Sequence, residues 1–143
     1  MANSDHRFGA DIALLARTWR AELDRRLSHL GLSQARWLVL LHLARYTQAP
    51  TQSELAAKVG VECATLARLL DGLEAQQLVR RVTVAEDRRA KRIELLPGTE
   101  TLIAQIEAIA SELRGEILAN IDQQELEVCQ RVLGQMQANL ERR

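Results

Sequence analysis

Apolar residues recur every three or four positions over most of this chain, which is the signature of amphipathic helices. Phe8, Ile12, Leu15, Trp19, Leu23 and Leu27 fall on one such stripe and predict a first helix from about Phe8 to Leu27. Gly31 ends it, and Ser33 is placed to cap a second helix. That second helix, "QARWLVLLHLARY", is apolar on most faces, so it is expected to run through the core.

Pro50 marks the next boundary, and Thr51 followed three residues later by Glu54 is a capping-box pattern. The spacing predicts a short helix over 52–58 that ends at Gly60, then another from near Glu62 to about Gln76. Two helices joined by the tight turn "VGV" make a helix-turn-helix. Residues 79–84 and 91–95 then alternate, with β-branched Val82, Val84 and Ile93, and predict a hairpin whose tip is "AEDRRA". A hairpin directly after a helix-turn-helix is a wing.

Two long helices close the chain. One stripe is Leu102, Ile106, Ile109, Leu113 and Ile117; the other is Leu126, Cys129, Leu133, Met136 and Leu140. Asp122 and Glu125 read as the cap between them. The expected fold class is therefore mostly α with a small β part (α+β). A winged helix-turn-helix with a two-stranded wing, at residues 33–97, is flanked by an N-terminal helix within 1–32 and C-terminal helices within 98–143. The flanking stripes are too continuous for the winged domain alone to cover, so a second copy is expected to cover them. Such a two-fold homodimer would present its reading helices to a palindromic site.

Composition sharpens this reading in three places. A length of 143 residues suits one domain with a core, or a small domain plus helices that need a partner. Cys63 and Cys129 lie far apart with no metal-ligand spacing, which points to a reducing compartment and no disulfide framework. No run of signal-peptide or membrane-spanning type occurs, so the expected address is the cytoplasm and no membrane partner is expected. Charge is the most telling. The formal net charge is zero, yet residues 1–50 carry +3, residues 51–98 carry +1 and residues 99–143 carry −4. A neutral chain is no general polyanion binder, so any nucleic-acid contact must come from local placement of charge. Residues 79–95, "VRRVTVAEDRRAKRIEL", gather six basic side chains on one short β-like segment.

A basic run by itself is more often a solvated face; behind a helix-turn-helix it reads as a contact to double-stranded DNA. In the helix from Glu62, Leu66, Leu69, Leu70 and Leu73 form the core side, which leaves Ala64, Thr65 and Arg68 on the opposite face. Arginine can contact guanine O6 and N7 with two hydrogen bonds, and threonine can reach a phosphate or a base edge. In the wing, Arg88, Lys91 and Arg92 are candidates for phosphate contacts, and Arg81 at the hairpin base either joins them or braces the wing. His6, His29 and His42 accompany no nucleophile, metal or phosphate-cradling motif, so neither an enzyme nor a cofactor or metal is expected.

The run "QSELAAKVGVECATLARLLDGLEAQQLVRRVTVAEDRRAKRIEL" resembles the MarR family of bacterial transcription regulators, and its "DRRAKR" wing is most similar to the SlyA branch. The resemblance rests on a "LExxxLVxR"-type helix exit (Leu73, Glu74, Leu78, Val79, Arg81) paired with "DxRxxxxxL" (Asp87, Arg89, Leu95). It implies that Cys63 falls at a DNA-contacting position, that Arg89 enters a minor groove and that Asp87 steadies its guanidinium. It also implies a small aromatic carboxylate effector of the salicylate type. Arg17 and Arg20 would meet its carboxylate and Trp37 its ring, although Trp37 also reads as core. Two departures from the family pattern stand out. Gln77 replaces the usual glycine after the recognition helix, and Leu96, followed by Pro97, stands where the family usually has Thr after the wing's last Leu, with Thr99 as a substitute cap. Cys63 has no evident activating neighbour and reads as an inert thiol; Cys129 reads as core. The alternative function is a partner-binding regulator that keeps the fold without DNA binding.

Overall fold

The computed structural model describes residues 2–142, with side chains described except those of Ala2, Asn3, Ser4, Gln34, Asp87, Arg88 and Arg89. Helix α1 runs Ala2–Leu27, beginning further upstream than the apolar stripe indicates. The polar residues before Phe8 contain no helix breaker, and Asp5 in the first turn favours the positive end of the helix dipole. The Glu22 carboxylate accepts from Arg25 and Arg26 of the last turn, and these bonds hold it well below the usual carboxylate range, at about 2.

A 3₁₀ turn, Ser28–Leu30, follows and closes at Gly31, whose φ of 73° a residue with a Cβ adopts only under strain. Helix α2, Gln34–Ala44, is capped by Ser33, whose side chain accepts from the Arg36 N–H. Its Trp37, Val39, Leu40, Leu41 and Leu43 are all buried, as an all-round apolar helix requires. Helix α3, Gln52–Val59, carries the full Thr51–Glu54 capping box and ends at Gly60, with φ 85°. Helix α4 spans Cys63–Ala75.

The core gathers Leu23 and Leu27 of α1, the α2 residues, Leu55 and Ala56 of α3, and Leu66, Leu70 and Leu73 of α4. Each fully buried leucine contributes about 1.5–3 kcal/mol.

Strands β1 (Val79–Val84) and β2 (Asp87–Leu95) pair antiparallel. The register runs from Val79↔Leu95 to Thr83↔Lys91 and then jumps to Val84↔Asp87. The expected six-residue tip is thus a correction: the turn is Ala85–Glu86, and residues 88–90 bulge out of an extended β2. Polarity suggested a loop there, but near an exposed hairpin end backbone pairing needs no apolar side chains. Val79 and Ile93 bury the hairpin base, and the Ile93 N–H donates to Pro50 O at 2.9 Å.

Helix α5 begins at Thr99, after Gly98 with φ 93°. Thr99 is not a side-chain cap. It is buried inside the first turn and its hydroxyl donates to Leu78 O at 3.0 Å, tying the helix start to the wing base. Pro97 lies ahead of the helix rather than in its first turn.

The chain forms two compact units, Met1–Ser111 and Glu112–Arg143; α5 (Thr99–Ile117) crosses the boundary. In the second, α6 spans Gln123–Glu141, with the Asp122 carboxylate accepting from the Gln124 N–H. Helix α6 has no buried residue. Val128, Leu133 and Leu140 are exposed, and so is Cys129, which corrects its expected place in a core. Periodicity locates an apolar face but cannot say what covers it.

Candidate nucleic-acid interface

The site starts from the turn between α3 and α4. Gly60 reverses the chain, and Glu62 enters α4 with no side-chain cap on the first N–H groups. An uncapped helix start leaves N–H donors available to an anion. The inward leucines Leu66, Leu70 and Leu73 are fully buried. Their spacing turns Cys63, Ala64 and Arg68 outward, all exposed, with Thr65 half-buried beside them. Thr51, Gln52, Ser53, Cys63, Ala90 and Lys91 line one cavity of about 340 Å³. The starts of α3 and α4 and the wing therefore share a concave face.

Several wing cations are partly committed. The Lys91 ammonium donates to Thr83 Oγ1 at 2.9 Å, and Arg92 Nη1 donates to Ala49 O at 2.7 Å, while both residues stay exposed. Arg80 pairs with Glu94 across the strands at 2.8 Å. The side chains of Asp87, Arg88 and Arg89 lie outside the described residues.

Arg81 braces the base of the wing against α4. Its Nη2 donates to Ala67 O and to Asp71 Oδ1, each at 2.7 Å, and Nη1 lies 3.5 Å from Glu74 Oε1. The Arg81 backbone N–H also donates to Glu74 Oε2 at 3.4 Å. Charge-assisted bonds of this kind are worth about 1.5–3 kcal/mol when sheltered. The Arg81 side chain is 22% exposed and Asp71 67%, so the sheltered carbonyl bond carries more than the ion pair. Arg81 Nε is buried without a partner, which marks the fit as imperfect.

The exit of α4 is a complete Schellman motif. Leu78 N–H donates to Leu73 O at 3.0 Å and Gln77 N–H to Glu74 O at 2.9 Å. Gln77 takes φ 62°, the left-handed backbone that glycine holds without strain.

A second brace escaped the sequence pattern. Arg36 of α2 lies flat against α4 at Gly72: a Cβ there would fall 2.2 Å from Arg36 Nη2. Arg36 Nη1 donates to Gln76 Oε1 at 2.9 Å, and Gln76 Nε2 donates to Gly31 O at 3.4 Å. The one available signal was a glycine inside a strong helix, which usually has a packing reason.

Trp37, 2% exposed, is core, and its indole N–H donates to Asp24 Oδ1 at 3.2 Å. Arg17 and Arg20 line a cavity of about 280 Å³ with Ala13, Ala16 and Ala21. Arg20 and Trp37 line another of about 290 Å³ with Ala16, Trp19, Leu23 and Leu38. Among the described residues no group of His, Cys, Asp and Glu is arranged to hold a metal, and no helix is long and apolar enough to cross a membrane.

A family model described as "MarR family" matches residues 32–91, from the start of α2 to the wing. A solved structure of the transcriptional regulator PA3341 is 65% identical, with a TM-score of 0.90, over 95% of this chain and 99% of that one. A MarR-family transcriptional regulator from Silicibacter pomeroyi is 27% identical, with a TM-score of 0.79, over 90% of this chain and 86% of that one. The S. aureus MepR structure, a complex with DNA, is 21% identical with a TM-score of 0.84 over 92% of this chain and 97% of that one, a likeness of fold.

Proposed function

The chain belongs to the MarR family of transcriptional regulators, and on that premise we propose that it reads palindromic double-stranded DNA as a homodimer. The observation that carries this reading is the first turn of α4. Cys63, Ala64 and Arg68 are turned outward by fully buried leucines, with Thr65 half-buried beside them, and Cys63 shares one concave face with Lys91 of the wing. Arg68 then hydrogen-bonds a guanine edge in the major groove, and Thr65 meets a phosphate or base edge. Arg89 enters the neighbouring minor groove, steadied by Asp87, while Arg88, Lys91 and Arg92 meet phosphates. Arg81 serves this head from behind by holding the wing to α4. Within the family, the "DRRAKR" wing favours the SlyA branch.

Exposed apolar residues support the dimer: Phe8, Leu14 and Leu15 on α1, and Val128, Val132, Leu133 and Leu140 on α6. Paired subunits set their recognition helices about 34 Å apart, one turn of duplex. The cavities at Arg17, Arg20 and Trp37 are sized for a single-ring aromatic acid, which releases DNA by binding the non-DNA spacing better. The action is cytoplasmic.

Gel shifts against salt test the reading head. Arg68→Ala is expected to cost about 1–3 kcal/mol and relax preference at one base pair per half-site. Arg89→Ala is expected to weaken binding to many sequences and lower the salt slope by about one. Unchanged binding in both variants removes the proposed head.

A further inference from the structure

The exit of α4, Gln76 to Leu78, is held by two neighbours, and all the residues that hold it belong to the first unit. One neighbour is the joint between α1 and α2. There Gln76 Nε2 donates to Gly31 O at 3.4 Å, and Gln76 Oε1 accepts from Arg36 Nη1 at 2.9 Å. The other is the start of α5: Leu78 O accepts from the Leu96 N–H at 2.9 Å and from the Thr99 hydroxyl at 3.0 Å. Gln77, with its left-handed backbone, lies between the two attachments. None of these residues lines the concave face at the start of α4.

The place of these bonds on the helix gives them leverage. The 13 residues of α4 put its exit about 20 Å along the axis from Cys63. A tilt of about 5° pivoting at the exit therefore moves the reading turn by about 1.7 Å, several times the roughly 0.5 Å that a binding constellation tolerates. Burial of Leu66, Leu70 and Leu73 holds α4 in the core but is non-directional. Hydrogen bonds supply the direction. Arg36 meets α4 twice, one turn apart: its guanidinium lies on the helix at Gly72, where a Cβ would collide with it, and its Nη1 reaches Gln76. Gln76 is exposed and its bond to Gly31 is long, so this clasp adds direction more than stability.

We propose that Arg36 and Gln76 are positioning residues for DNA reading: the Arg36–Gln76–Gly31 clasp fixes the tilt of α4 and so sets how strictly a half-site must match, without touching the duplex. The proposal rests on α4 being the helix that reads the groove. Its signature is a loss of discrimination rather than of binding. Base-edge contacts fail when the reading turn shifts, whereas long arginine and lysine side chains follow phosphates over the same distance. A residue that touched one base would relax preference at one base pair; a lost clasp relaxes it across the half-site.

The test uses the full chain, a duplex it selects from a randomised library, and a shuffled duplex of the same length. In gel shifts against salt, Gln76→Ala should lower affinity for the selected duplex by about three- to tenfold, with the shuffled duplex and the salt slope unchanged. Arg36→Ala should lose at least as much, and the double variant no more than Arg36→Ala alone, since both changes remove one clasp. A library selection repeated with Gln76→Ala should give a profile flattened across the half-site; flattening at one base pair makes Gln76 a base contact and overturns the proposal. Amide exchange followed by NMR reads the clasp without DNA: Gln76→Ala should speed exchange at Gln77 and Leu78 by about threefold or more and leave Leu55 unchanged. Wild-type discrimination in both single variants, additive losses in the double variant, or unaltered exchange at Gln77 and Leu78 also overturns it. So does a salt slope lowered by about one in Arg36→Ala, which would make Arg36 a phosphate contact. A wild type that prefers no duplex refutes the reading of α4, and the proposal with it; the exchange data separate that outcome from a failed clasp.

Discussion

Gln77 offers the clearest quantitative test of how the recognition helix is joined to the wing. It sits at the position after the α4 C-cap with φ 62°, and its exposed side chain makes no hydrogen bond among the described residues. A residue with a Cβ in this region is strained by about 1–2 kcal/mol, which glycine avoids. Glycine also gives the unfolded chain more freedom, at a cost of about 0.4–1 kcal/mol. Gln77→Gly should therefore stabilise the fold by about 0.5–1 kcal/mol. Unfolding entropy for 143 residues is roughly 0.3 kcal/mol per kelvin, so the midpoint should rise by about 2–3 °C. Gln77→Ala is the control; it keeps the Cβ and should stay within about 0.5 kcal/mol of wild type. Calorimetry at one fixed protein concentration reads both, because assembly makes the midpoint concentration-dependent. If glycine failed to stabilise, or alanine did as well as glycine, the strain assigned to this backbone would be wrong.

Three further outcomes follow from the braces and the buried histidine. Arg81→Met should cost about 1.5–3 kcal/mol in urea unfolding, and Asp71→Asn less than about 1 kcal/mol, since the Ala67 carbonyl bond survives the second change. Equal losses would refute that division. Arg36→Ala should destabilise by about 0.5–1.5 kcal/mol in wild type but not in a Gly72→Ala background, where the new Cβ has already displaced the guanidinium. An undiminished loss in that background would count against the packing argument. Because folding lowers the His42 pKa, the unfolded chain takes up the proton first as pH falls. Stability is then full above the unfolded value of 6.5 and declines as pH drops through it toward the folded value. His42→Asn should flatten that decline in urea midpoints taken between pH 7.5 and 5.5, and parallel curves for variant and wild type would refute the assignment.

The order of elements was legible along the chain because each boundary is a local event. Ser33 and Thr51 cap, Gly31 and Gly60 reverse the backbone, and the leucines of α4 repeat at helical spacing, all within a few residues. The outward face of α4 was legible for the same reason, since burying Leu66, Leu70 and Leu73 leaves only one side for Ala64, Thr65 and Arg68. The strain at Gln77 could also be anticipated, because a helix exit into a strand calls for that backbone whatever residue stands there.

Contacts between residues distant in sequence were decided by tertiary structure alone. No pattern linked Arg36 to Gln76, Arg81 to the Ala67 carbonyl, or the Thr99 hydroxyl to Leu78. Nor could a pattern gather His42 and Arg45 of one helix end with Lys58 of another around a single cavity. Periodicity encodes which side of an element is apolar, and caps encode where it stops, because both depend on neighbours a turn away. Which polar groups meet across elements depends on how the buried faces pack, and only the folded chain settles that.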